Sequence, residues 1–198
     1  MSEIIIASGN TGKINEFKAI FKALNINVIG IKEHLPDFDV EETGTTFEEN
    51  AVLKAEAAAH ALNLPVISDD SGIEVDALNG APGVYSARYA GGAGDAANNE
   101  KLLKNMQGET NRRARFISVI AVAIPNQETR TFTGTVEGNI LTSLVGSGGF
   151  GYDPLFETLD GLKFGEIDPA EKNAISHRAN ALKLLQNDKE LLQLLKGD

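Results

Sequence analysis

EIIIASGNTGKINEFKAIFKAL, residues 3–24, is the stretch that decides the fold. The run Ile4, Ile5, Ile6 is short, apolar and β-branched, which suits a buried strand, and it ends in small polar residues. From Lys13 onward the period changes. Ile14, Phe17, Phe21 and Leu24 recur three and four apart, so they share one face of a helix. Strand, tight loop and helix in that order open an α/β fold. The loop between them, SGNTGK (residues 8–13), combines glycines and a lysine where a phosphate-holding turn would need them.

The same alternation continues along the chain. INVIGI (residues 26–31) reads as a second strand, and FEENAVLKAEAAAHAL (47–62) is the strongest helix, rich in Ala, Glu, Leu and Lys. Thr45 or Thr46 is its expected N-cap. LPVISDD (64–70) reads as a strand ending in two aspartates, followed by loops around a short strand over residues 71–92. DAANNEKLLKNM (95–106) is a helix, and ARFISVIAVAI (114–124) and TRTFTGTVEGNI (129–140) are neighbouring strands joined through PNQE. GSGGFGYDP (146–154) is a loop, and residues 176–195 close the chain as one helix or two, with Ser176 as a cap. Strands alternating with helices predict some parallel pairing, and the paired middle strands predict an antiparallel extension or a second lobe.

Composition narrows the function. A chain of 198 residues with 42% hydrophobic residues suits one domain, or one domain with a sub-lobe. No stretch approaches the roughly 20 apolar residues that span a bilayer, and the N-terminus has no basic segment before an apolar run, so a cytoplasmic protein without membrane contact is expected. There are 0 cysteines, which excludes disulfides, thiolate metal sites and a cysteine nucleophile. A formal charge of −10 argues against nucleic acid as a partner, because such binding needs phosphate neutralisation by Lys and Arg. A single small anionic substrate remains compatible, since a few clustered cations can dominate a local site.

SGNTGK is not a P-loop. The first glycine of that motif would fall at Ala7, and Ile14 stands where a magnesium-ligating hydroxyl is needed. What remains is a glycine-rich turn at a helix N-terminus, favourable to anions, against the plainer alternative of an ordinary strand-to-helix turn. In VISDDSG (residues 66–72), Asp69 and Asp70 point to opposite sides of a strand; one can bind magnesium or activate water while the other is structural, or both belong to a turn. Glu41 and Glu42 of EETG could reach a metal, while Glu48 and Glu49 complement a helix dipole. Phe150 and Tyr152 in GGFGYDP can stack a nucleobase and Asp153 can accept from a purine ring N–H, or the loop is a hydrophobic plug with Phe150 in the core. Lys172, His177 and Arg178 can donate to a carbonyl or phosphates, or form a cap and a solvated face. The 3 histidines show no zinc-ligand spacing.

ASGNTGKINEFK, EETGTTFEENAVLKAEAAA, SDDSGIEVDALNGAPGVYSARYAG, GGFGYDPLF and EKNAISHRANAL, in this order, resemble the inosine triphosphate pyrophosphatase family, the noncanonical purine NTP pyrophosphatases of the RdgB and Ham1 type. The likeness runs over residues 4 to about 186. It implies an elongated mixed-sheet α/β fold, a single domain over residues 1–198 with two lobes around a substrate cleft, working as a homodimer. The implied reaction is Mg²⁺-dependent hydrolysis of ITP, dITP and XTP to the monophosphate and pyrophosphate.

By the same resemblance, Ser8, Gly9, Asn10, Thr11, Gly12 and Lys13 would hold the triphosphate, with Lys13 as the direct cation. Asp70 would be proton acceptor and magnesium ligand, with Ser71 touching substrate and Asp69 in support. One glutamate of EETG would assist the metal, with Glu41 weakly favoured over Glu42. Phe150, Gly151, Tyr152 and Asp153 would form the base pocket, with Phe150 stacking, and Lys172, His177 and Arg178 would complete it. Some family members carry Trp where this chain has Tyr152. Donors on His177 and Arg178 suit the purine 6-carbonyl of hypoxanthine and would oppose the amino group of adenine. Two other readings compete: a nucleotide-binding module without hydrolysis, and a Maf-like pyrophosphatase acting on modified pyrimidines and methylated nucleotides. The acidic pair disfavours the first, because a pure triphosphate binder has little use for extra negative charge without a metal, and FGYD with SHR disfavours the second.

Overall fold

The structure, a computed structural model, describes residues 2–196. It is a mixed α/β fold on a single sheet of 6 strands. The strands are β1 (Ser2–Ile6), β2 (Ile26–Gly30), β3 (Val66–Val75), β4 (Arg113–Ala123), β5 (Arg130–Ile140) and β6 (Phe156–Thr158), in the order β2-β1-β3-β4-β5-β6. The helices are α1 (Thr11–Lys22), α2 (Phe47–Leu62), α3 (Asp95–Asn105), α4 (Pro169–Ile175), α5 (His177–Asn187) and α6 (Lys189–Lys196). β1 pairs in parallel with β2 and β3, and β5 pairs antiparallel with β6. The opening strand and α1 thus start a parallel layer, as the change of period predicts. No described helix is long and apolar enough to cross a membrane.

Local chemistry explains where two of the helices start. α2 spans the residues expected for it, and Thr46 is the cap. Its side chain accepts from the Glu49 amide at 3.1 Å, while Glu49 Oε2 accepts from the Thr46 amide at 3.2 Å, a reciprocal pair that satisfies two amides at once. The C-terminal helical stretch divides at Asp188, whose side chain accepts from the Leu191 amide at 3.1 Å and pairs with Arg130 at 2.8 Å. The first of these contacts caps the helix that follows.

One expectation is corrected. The strand expected to end at Asp70 continues to Val75, so both aspartates lie within β3. Composition suggested a turn, but tertiary contacts overrule it. Asp69 finds three partners that satisfy its buried carboxylate. The bare Cα of Gly72 makes room for Ser86, whose Oγ accepts from the Ile73 amide at 3.0 Å, a close approach that explains glycine inside a strand. Two short elements were not foreseen, β6 and α4; the latter starts on Pro169, which suits a first helical position.

The chain divides into two compact units, and β3, β4 and β5 contribute residues to both. The first unit holds the residues up to Asp70, Ser118–Gly134 and the chain from Arg178 on. Its core joins Ile4 and Ile6 of β1, Phe17 and Phe21 of α1, Ile67, Ile120 and Val122 of the sheet, and Leu182 and Leu185 of α5. Burying each such side chain contributes about 1.5–3 kcal/mol. The second unit comprises Ser71–Ile117 and Thr135–His177. There Ile73, Leu102, Met106, Tyr152 and an aromatic group around Phe116 form the core. The Phe156 and Phe164 ring centroids lie 4.6 and 5.7 Å from that of Phe116, within the range of favourable ring pairs.

Candidate functional site

In the first unit, the SGNTGK turn is built by its own side chains. Ser8 Oγ accepts from the Asn10 amide at 3.1 Å, and Asn10 Oδ1 caps α1 by accepting from the Lys13 amide at 3.1 Å. The first-turn amides of Thr11 and Gly12 remain at the helix mouth, where the helix dipole favours an anion. A lysine in that first turn runs against the dipole. Asp69 supplies the compensation, with Lys13 Nζ 2.8 Å from Asp69 Oδ2.

Asp69 is the centre of a buried charge group. Ser118 Oγ donates to Oδ1, Arg178 Nη2 reaches Oδ2 at 3.2 Å, and Arg178 Nη1 pairs in turn with Glu16. Burial opposes ionisation of Asp69, but Arg178, Lys13 and the hydrogen bonds from Lys13 and Ser118 outweigh it and hold the carboxyl well below the usual carboxylate range. Arg178 itself is fully buried, so the donor expected for the purine carbonyl is engaged here by two carboxylates.

Asp70 has the opposite environment. Burial pushes its pKa up, and the cations of Lys54 and Lys13 only partly offset that. Its Oδ1 faces Lys54 Nζ at 3.4 Å, whereas its buried Oδ2 meets no hydrogen-bond partner among the described residues. Lys54 also donates to Glu42 Oε1 at 2.6 Å and to the Asp69 carbonyl at 3.0 Å. Glu42 is therefore the glutamate gathered with Asp70, while Glu41 is exposed. α2 fixes this loop a second time one turn earlier, where Asn50 Oδ1 accepts from the Gly44 amide at 2.8 Å.

This donor set suits magnesium. The ion prefers one or two carboxylates completed by waters and substrate phosphates. The described residues contain no group of three or more acidic, His or Cys side chains arranged for a metal, but they do present Asp70 with an open buried oxygen beside Glu42.

In the second unit, the GFGYDP loop is held from several sides. Asp153 is buried, and its Oδ2 accepts from the Phe150 amide at 3.0 Å and from Lys172 Nζ at 2.6 Å. Gly149 has φ +72°, and a Cβ there would overlap the Asp153 carboxylate, so only glycine fits. Lys172 Nζ sits 4.7 Å from the Phe150 ring centroid, close enough for a cation–π contact, and that ring is half-buried and outside the core. The aromatic residue that plugs the core is Tyr152, 4% exposed, with its hydroxyl donating to the Ser86 carbonyl at 2.7 Å. The His177 ring stacks on Phe116 with centroids 4.8 Å apart. Ser71 is half-buried at the start of this unit.

Burial pushes the Tyr152 hydroxyl far above its ordinary range. A raised folded-state pKa contributes stability that is complete below the unfolded value of about 10 and falls as pH rises beyond it. Tyr152→Phe is expected to lose about 1–2 kcal/mol near neutral pH, because the Ser86 carbonyl is left unpaired. It is also expected to flatten the alkaline fall in stability, both read from urea melts near neutral pH and above about pH 10.

Several residues in these groups were not singled out in the sequence: Lys54, Glu16, Ser118 and Asn50. Lys54 left a faint signal. It lies four residues after buried Asn50 and seven after buried Phe47, so a lysine stands on the helix face that packs inward.

A sequence model of the Ham1 family matches residues 4–188 of this chain. A Staphylococcus epidermidis protein named dITP/XTP pyrophosphatase is 61% identical over 188 residues, covering 94% of this chain and 95% of its own length. A Staphylococcus aureus protein of the same name is 57% identical over 189 residues, with coverage of 94% and 95%. Among solved structures, the Staphylococcus aureus Ham1 protein superposes with a TM-score of 0.85 at 56% identity, over 95% of this chain and 98% of its own. A HAM1 protein from Coxiella burnetii gives a TM-score of 0.84 at 42% identity, over 94% and 98% of the two chains.

Proposed function

This chain belongs to the Ham1 family, and on that premise we propose that it hydrolyses ITP, dITP and XTP to the monophosphate and pyrophosphate with Mg²⁺, as a cytoplasmic homodimer. It is an enzyme of nucleoside triphosphate hydrolysis, acting on noncanonical purines. The observation that carries the reading is the contrast between two adjacent aspartates, Asp69 held ionised by Lys13 and Arg178, and Asp70 with its pKa raised and one buried oxygen open.

Environments that push neighbouring carboxyls apart assign them different work. Asp69 remains an anion and holds the ammonium of Lys13, a first-turn residue of α1. Asp70 is the more basic of the two, and its open Oδ2 accepts the proton of the water that attacks the α-phosphorus. Lys54 holds Asp70 by Oδ1 and keeps Glu42 beside it, which leaves Oδ2 without a hydrogen-bond partner among the described residues. Ser8, Gly9, Asn10, Thr11, Gly12 and Lys13 bind the phosphates, the amides donating and Lys13 neutralising charge on the departing pyrophosphate. Asp70 and Glu42 would hold a Mg²⁺ ion, which when bound would supply Lewis-acid neutralisation of the phosphate oxygens.

For the base, Phe150 supplies a ring face outside the core, while Asp153, Lys172 and His177 supply polar partners, Gly151 shapes the loop between the two rings, and Ser71 lies close to the substrate. Tyr152 supports this loop from beneath, through the Ser86 carbonyl. Arg178 serves the phosphate end through Asp69. A site that bonds the purine 6-carbonyl rejects adenine, because its buried donors would be left unpaired.

The direct test supplies ITP, dITP, XTP, GTP, ATP and a modified pyrimidine triphosphate, with and without Mg²⁺, and identifies the released group. Pyrophosphate from ITP, dITP and XTP only, with metal, and a kcat/KM for ITP at least about 10²-fold above that for ATP, is the expected result. Orthophosphate release would break the α-phosphorus mechanism. Turnover of the pyrimidine alone would assign the protein to a Maf-like specificity.

A further inference from the structure

The first turn of α3 carries Asp95 and, four residues on, Asn99, which therefore lie on the same helix face. Both reach the same residue of the base loop. Asp95 Oδ2 accepts from the Gly151 amide at 2.7 Å, and Asn99 Nδ2 donates to the Gly151 carbonyl at 2.9 Å. Gly151 stands between Phe150 and Tyr152, so its two polar groups are secured in the middle of FGYD.

The neighbouring Asn98 does the same for the segment that supports Tyr152. Its Oδ1 accepts from the Ala90 amide at 2.7 Å and its Nδ2 donates to the Ala87 carbonyl at 3.1 Å. The Ser86 carbonyl beside this segment receives the Tyr152 hydroxyl. α3 thus grips the loop at Gly151 directly and at Tyr152 through one intermediate. Asn99 is 5% exposed, and its Oδ1 is buried with no hydrogen-bond partner among the described residues. A leucine of similar size would avoid that unmet acceptor, so packing alone does not account for the amide; its donor to Gly151 does.

We propose that Asp95 and Asn99 are positioning residues for purine recognition: they clamp both polar groups of Gly151 so that Phe150 and Asp153 are presented to the base before it arrives. The inference rests on the reading of FGYD as the base site. It adds to that reading the part of the chain that sets base affinity from outside the loop. Preorganisation of this kind acts on substrate binding more than on phosphoryl chemistry, because the reacting groups of the first unit are untouched.

The test is steady-state kinetics with ITP on the full chain, with wild type, Phe150→Ala, Asn99→Leu, Asp95→Ala and Asp95→Asn. Asn99→Leu is expected to raise KM for ITP about tenfold with kcat within about twofold. Asp95 is exposed, a position where the fold tolerates change. Asp95→Ala is expected to raise KM about three- to tenfold, and Asp95→Asn, which keeps an acceptor for the Gly151 amide, to recover most of that loss. The Asp95 pair keeps the proposal testable if Asn99→Leu fails to fold. If Phe150→Ala raises KM while Asn99→Leu and Asp95→Ala leave it unchanged, the clamp is overturned and the base site stands. If Phe150→Ala also leaves KM unchanged, the base site itself falls, and the clamp with it. A fall in kcat with KM constant would overturn the proposal in favour of a general structural role.

Discussion

Asp70→Asn is expected to lower kcat for ITP by about 10²–10⁴-fold while leaving KM within a few-fold of wild type. The substitution keeps the shape of the side chain and removes the open carboxylate oxygen that would take the proton from water. It also weakens the acidic pair formed with Glu42. Binding survives because the SGNTGK turn and the Lys13–Asp69 pair are untouched. Folding survives as well, since Lys54 retains Glu42 and the Asp69 carbonyl as acceptors, and a thermal melt within a few degrees of wild type checks that point. Rapid-quench measurement of pyrophosphate release isolates the chemical step. Full turnover by Asp70→Asn would overturn the assignment of proton acceptor.

Arg178→Met is expected to act mainly on stability. The side chain is fully buried and pairs with both Glu16 and Asp69, so its loss removes a cation shared by two carboxylates. Breaking a buried ion pair from one side costs about 3–5 kcal/mol, which for a chain of this size is a Tm decrease of roughly 6–20 °C. The pH dependence has a definite sign. Asp69 has a depressed pKa, so its contribution is present above the unfolded value of about 3.9 and is lost as pH falls through the folded value. The deficit of the variant is therefore largest near neutral pH and narrows in acid. Arg178→Lys is expected to recover little, because an ammonium cannot repeat the forked contact with two carboxylates. A variant with wild-type Tm and a raised KM for ITP would instead make Arg178 a direct donor to the base.

These two residues mark how far the sequence was legible. Asp70 stood out because two carboxylates following a buried strand demand an explanation, and the resemblance supplied a role for one of them. The strand itself runs five residues beyond Asp70, to Val75. Asp-Asp-Ser-Gly has turn composition, and only the partners brought by Lys13, Ser118 and Arg178 let β3 run through it. Phe150 and Tyr152 were equivalent as letters; burial separates them, leaving Phe150 half-exposed over Lys172 and Tyr152 inside the core. Lys54 was one lysine in a strong helix until the fold set it between Glu42 and Asp70.

What the sequence alone determined was local. The change from strand to helix period at Lys13, the extent of α2, the neighbouring strands β4 and β5 and the failure of SGNTGK as a P-loop all follow from propensity, periodicity and motif spacing over a few residues. The tertiary structure decided the state of the charges. Lys13, Asp69 and Arg178 are far apart along the chain, yet the protonation of one depends on the other two. Burial and Coulomb interaction act through space. No pattern of neighbouring letters records which charges meet, which oxygen stays open, or which helix grips a loop 52 residues away.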